Sequence, residues 1–185
     1  MTLPAPAASP GSADLRAAAA AAGLAVSAAA SWPGTGADNE VKPLAGFIWS
    51  SFSPLLAEVA DRVLRGRGGP PAPGRVTAVV IVSALGDVTT ATRVAEAVDA
   101  GQRVSPLLFF QAVPNAVVGH LAARWGLTGP VVCVGGIGTG LEVAATLIED
   151  ADCDEVLIAR VDIAVTGDDR DRGAAILVTG EPGRR

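Results

Sequence analysis

The sequence predicts an α/β fold, a mixed and mostly parallel five-stranded sheet with helices on both faces. Three observations carry this. From residue 76 onward, apolar runs of strand length alternate with helical patterns. The runs are continuous rather than alternating, as strands covered on both faces require. Two strand patterns joined by a polar loop at residues 166–172 then close the chain as an antiparallel pair.

Residues 1–12 are rich in Pro, Ala and Ser and are expected to be a disordered terminus, with one domain over 13–182. Asp14 is the expected cap of a short Ala-rich helix stopped by Gly23. Leu24–Trp32 reads as a first strand that ends at Pro33 and Gly34, before a polar loop over 34–42. Ser53 as N-cap and Pro54 at the first helical position open a helix. Leu55, Leu56, Val59, Val63 and Leu64 share one face of it, and Gly66 stops it. A linker-like stretch over 67–74 leads to a strand over 76–83. Asp87 caps a helix over 88–100, and the very apolar segment 104–110 is expected to be extended. Pro114 or Asn115 opens a helix that runs to Trp125. Gly129 and Pro130 make a turn into a buried strand, Val131–Val134. A glycine-rich turn over 135–140 precedes a helix over 141–150, and Asp154 leads into the strand Glu155–Asp162. The last strand is 174–179.

Composition narrows the function classes. Of 185 residues, half are apolar and 18% charged, so the chain has the material for a core. Ala supplies 36 residues, against seven Phe and Trp and no Tyr, so the core relies on small side chains. A formal charge of −5, with one Lys and thirteen Arg, argues against nucleic acid as a partner. The single histidine, His120, leaves no His-rich metal site. Cys133 and Cys153 make neither a disulfide framework nor a Cys-rich zinc site, so no metal is expected. The Ala17–Ala22 run is too short to cross a bilayer and the N-terminus lacks a basic leader, so a cytoplasmic protein without a membrane partner is expected.

Strand, glycine turn and helix in VVCVGGIGTGLEVAA suit a nucleotide or adenosylmethionine site at Gly135, Gly136, Gly138 and Gly140. The pattern departs from both motifs. A G-x-G-x-x-G beginning at Gly136 needs glycine where Leu141 stands, and Val134 occupies the acidic position. The competing reading is a tight strand-to-helix turn.

Ser105-Pro106 with Phe109-Phe110, then VPNAVVGHLAARWGLTGPVVCV, EVLIARVDIA and RGAAILVTG, resemble in order the N-terminal half of beta-ketoacyl synthases, of the thiolase superfamily. VSALGDVTTATRVAEAVDAGQRVSP is similar to the stand-alone beta-ketoacyl synthase-like N-terminal domains. The resemblance implies a thiolase-like half-fold. It implies that Gly138 stands where active members carry the nucleophilic Cys at a helix N-terminus. It also implies that the two catalytic histidines belong to a C-terminal half beyond this chain, and that His120 is neither. Standard condensation by this chain alone is therefore not expected, and no cofactor is. Cys133 reads as a small buried core residue, and Cys153 sits in an acidic turn that disfavours a thiolate. His120 is expected to be a hydrogen-bonded helix histidine near an interface.

Three functions follow. The first is a non-condensing accessory protein that binds an acyl or polyene chain on an acyl carrier protein, or a partner ketosynthase. Phe109, Phe110, Asn115, His120, Gly138 and Thr139 would line the remnant acyl pocket. Arg62, Arg65, Arg67 and Arg75 either meet the acidic carrier or are a solvated helix end and loop. The second is a Cys-independent enzyme using His120, Glu142 or Asp87 for acid–base addition or cyclisation. The third is the nucleotide-binding enzyme. The helix after the glycine turn has only Glu142 and Thr146 as polar interior positions. Either the N-terminal segment or another chain should cover it, and a homo- or hetero-oligomer through Val131–Val134 is expected.

Overall fold

The computed structural model describes residues 11–34, 40–164 and 170–181. Residues 1–10 of the expected disordered terminus, 35–39 and 166–169 of the two expected polar loops, and residue 182 lie outside them. Five strands form one sheet in the order β1 (Leu24–Trp32), β5 (Arg172–Gly180), β4 (Glu155–Asp162), β2 (Thr77–Val82), β3 (Val131–Val134). β2 pairs parallel with β3 and β4, and β5 pairs antiparallel with β4 and β1, so four strands run one way and β5 the other. The helices are α1 (Ser12–Ala21), α2 (Phe52–Gly66), α3 (Val88–Asp99), α4 (Pro106–Gln111), α5 (Ala116–Trp125) and α6 (Ile137–Glu149).

The strand period of two splits the core into two layers. Val79 and Ile81 of β2, with Leu157, Ala159 and Leu177, pack on α2 and α5. Ala78, Val80 and Val82, with Ile158, Ile176 and Val178, pack on α1 and α6. Leu15 and Ala19 of α1 are fully covered beside Leu141 and Ala144 of α6. The N-terminal segment therefore shares the face of α6, and none of the exposed large apolar side chains belongs to α6.

Two ion clusters pin the layers. Asp61 on α2 accepts from the Trp125 indole of α5 at 2.6 Å and from Arg65 at 2.9 Å, with Arg124 at 3.3 Å. Glu155, at the start of β4, accepts from Thr77 at 2.7 Å and Arg75 at 2.9 Å and is paired with Arg67. With Arg62 bonded to Glu58 and the Ser31 carbonyl, all four arginines weighed for a carrier are ion-paired within the chain.

The structure corrects several sequence expectations. Gly11 caps α1, and Asp14 is its third residue, accepting from the Gly11 N–H at 2.9 Å. α2 starts two residues early, on Ser51, which leaves Ser53 buried inside the helix. The segment expected to be extended is α4: Ser105 caps it and Pro106 holds the first position. β3 is an edge strand with Val131 and Cys133 exposed, so neither strand nor Cys133 is buried. α6 begins at Ile137, which places Gly138 and Gly140 in its first turn and not in a loop before it.

Candidate functional site

β3, the Gly135-Gly136 connection and α6 define the candidate site. Gly136 caps α6 in extended geometry, and Gly138 and Thr139 are exposed in its first turn. Gly140 bonds back to the Gly136 carbonyl at 3.0 Å. The N–H groups of Ile137, Gly138 and Thr139 have no acceptor among the described residues, as at any helix start. Such a turn can hold a developing negative charge. By the resemblance Gly138 stands at the nucleophile position, and a Cβ built on it meets nothing within 4 Å. A Cβ on Gly140 would meet Val82 Cγ2 at 2.8 Å, so this glycine lets α6 lie close on β2.

The six residues expected to line a pocket divide into two groups. Phe109 and Phe110 are 65% and 60% exposed on α4, beside Leu107 and Val113. Asn115 caps α5, and His120 is half-buried on it with no side-chain hydrogen bond among the described residues, contrary to expectation. α4 packs on α3 and α5, and α5 on α2, while Gly138 and Thr139 lie on α6 across the sheet. None of the six lines the cavity between the end of α6 and the start of β1, nor the one over the ends of β1, β5 and β4. Asp87 is engaged as the α3 cap, bonding the Thr90 N–H at 3.1 Å and its hydroxyl at 3.0 Å. Glu142 is exposed on α6, so His120, Glu142 and Asp87 do not converge.

Neither thiol is activated. Burial pushes the Cys153 thiol up, and Asp154 and Asp152 add to the shift. Partial burial also raises that of Cys133. The described residues hold no cluster of His, Cys, Asp and Glu fit for a metal ion. Among them, no helix is long and apolar enough to cross a membrane.

The edge strand is the other feature here, and sequence pattern missed its exposure. Val79 N–H donates to the Pro130 carbonyl at 2.9 Å and Ser83 N–H to that of Val134 at 3.0 Å. In this parallel register Val132 and Val134 bond inward to β2. The N–H and C=O groups of Val131 and Cys133 therefore face the open edge.

The mixed five-stranded sheet with helices on both faces is the thiolase-like half-fold that the resemblance implies. The chain matches the family model for the beta-ketoacyl synthase N-terminal domain over residues 50–166, more than half its length, and belongs to that family. It is similar in fold to three solved structures. A ketosynthase in complex with its chain length factor from Xenorhabdus doucetiae shares 22% identity over 78% of this chain and 65% of that one, with a TM-score of 0.61. The ishigamide ketosynthase/chain length factor shares 18% identity over 76% of this chain and 46% of that one, also at 0.61. A beta-ketoacyl synthase from Burkholderia phymatum STM815 shares 12% over 80% and 46%, at 0.59. The chain thus spans about half to two thirds of these relatives. No curated protein matches it.

Proposed function

We propose that residues 13–182 act as a non-condensing ketosynthase-like subunit that pairs with a ketosynthase in polyketide-type biosynthesis. The observation that carries this is the open edge of β3 beside a helix start whose nucleophile position, by resemblance, is Gly138. An unpaired strand edge is a template for another strand. The exposed Leu107, Phe109 and Phe110 of α4, with Val113 just after it, form an apolar surface that a partner would cover. Two of the similar structures are ketosynthases with chain length factors, which favours a ketosynthase over a second copy as the partner. The acyl chain, held on its carrier, would then lie between the two subunits beside the first turn of α6. The chain supplies walls and backbone donors, and the partner supplies the nucleophile.

Co-purification tests this. Co-expressed with ketosynthases of its own organism, the chain should form a stoichiometric complex with one of them. The chain alone should not condense acyl and malonyl units on a carrier. Condensation by the isolated chain would overturn the non-condensing assignment, and absence of any complex would overturn the pairing.

A further inference from the structure

At the end of the sheet near the start of α6, but over β1, β5 and β4, lies a cavity of about 390 Å³ lined by Ser31, Arg160, Asp162, Arg170, Arg172 and Ala174 among others. Strand register explains its shape. Ser31, Ala174 and Arg160 form one cross-strand row, and Arg172 and Asp162 pair in the next. Arg160 shares the α1 and α6 face with Ile158 and Val156, and Arg172 with Ala174 and Ile176. Ala174, with no side chain beyond Cβ, lies in that row between Ser31 and Arg160. The same row continues to Val82, on which Gly140 of α6 sits, while the cavity's own described lining comes from β1, β5, β4, the residues next to them and Gly11.

Its charge is unbalanced. Arg160 bonds Asp162 at 2.7 Å. Among the described residues, Arg170 and Arg172 have no hydrogen-bond or ion-pair partner. Of the described carboxylates that flank it, Asp171 accepts from the Ala164 N–H and Asp14 from the Gly11 N–H, both at 2.9 Å. Among the described residues, three guanidiniums and one carboxylate line the cavity, in a chain whose net charge is −5.

We propose that this cavity binds a phosphate group through Arg170 and Arg172, with Arg160 and the Ser31 hydroxyl completing the shell. Guanidinium forks match phosphate oxygens in pairs, and two free positive charges match a phosphate better than a lone carboxylate. The volume is at the lower end of the roughly 300–1,000 Å³ of small-molecule sites, enough for a phosphate and part of what it is attached to. The site is independent of the pairing proposed above, because β3 lies at the other side of the sheet.

Calorimetric titration of the full chain with inorganic phosphate at low, chloride-matched ionic strength tests it. Saturable binding is expected, weakened about tenfold or more in the Arg170→Ala/Arg172→Ala double variant. Both side chains are exposed, so circular dichroism and the unfolding midpoint should stay as in the parent. No saturable binding, or equal binding by the variant, overturns the proposal. Phosphopantetheine and pantetheine distinguish the source. Phosphopantetheine tighter than phosphate, with pantetheine inactive, supports the site and assigns it to a carrier arm. Equal affinity for phosphate and phosphopantetheine supports the site and assigns it to a free phosphate-bearing ligand. Pantetheine binding as well as phosphopantetheine overturns it.

Discussion

A methyl group on Gly140 would press into Val82 at 2.8 Å, whereas one on Gly138 meets nothing within 4 Å. Gly140→Ala should therefore destabilise the fold by about 1–3 kcal/mol through overpacking. Gly138→Ala should be neutral or stabilising by up to about 1 kcal/mol, since alanine favours helix. Urea unfolding of the two variants checks the contrast. The glycine run was legible as a strand-to-helix turn, but not which glycine the packing requires, because that depends on Val82 across 58 residues of chain. The thiols give a second residue-scale prediction. Both pKa values are raised, so the thiolate fraction is low at neutral pH and grows as pH rises. Alkylation of Cys133 should be slow at pH 7 and accelerate with pH. Cys153, 5% exposed, should react only when the chain is unfolded. Rapid labelling of either at pH 7 would contradict this reading.

The elements show where sequence pattern is sufficient. β1 and β4 fall on the expected residues, because each is a long apolar run ended by an unmistakable break. α4 does not, because six or seven apolar residues carry no period that separates strand from helix. The deciding signal was Ser105-Pro106, a cap followed by proline at the first position. The same signal at Ser53-Pro54 misled by two residues, because Ser51 caps α2 and Pro54 is tolerated in the first turn. β3 was expected to be buried because its four residues are apolar, yet exposure depends on strand order, which no local pattern encodes. Between elements, Glu155 joins β2, β4 and the loop after α2. Glu155→Ala should cost about 3 kcal/mol, since a buried pair is broken and two guanidiniums lose their acceptor. Arg75→Ala should cost less than about 1 kcal/mol, because Arg75 is 40% exposed and Arg67 and Thr77 remain on Glu155. Thermal melts of both variants distinguish a structural cluster from a carrier-binding patch.

Across the whole molecule, α1 lies on the same sheet face as α6 and buries Leu15 and Ala19 there. Its contribution to the fold is measurable: Leu15→Ala should cost about 2–4 kcal/mol by lost burial and a residual cavity. A change below 0.5 kcal/mol in urea would mean that α1 is not integral to the core. The sequence posed two ways of covering α6, and the structure assigns part of that face to the chain itself. The exposed apolar surface includes α4 and β3, where pairing with a ketosynthase is proposed. Light scattering of the chain co-expressed with ketosynthases of its organism, as parent, Cys133→Ala and Cys133→Pro, tests that pairing most directly. Proline at 133 removes one outward N–H of β3 while the inward bonds of Val132 and Val134 remain. The predicted result is a stoichiometric complex for the parent and Cys133→Ala, and a folded but uncomplexed chain for Cys133→Pro. A parent that captures no ketosynthase, or a complex indifferent to Cys133→Pro, would contradict it.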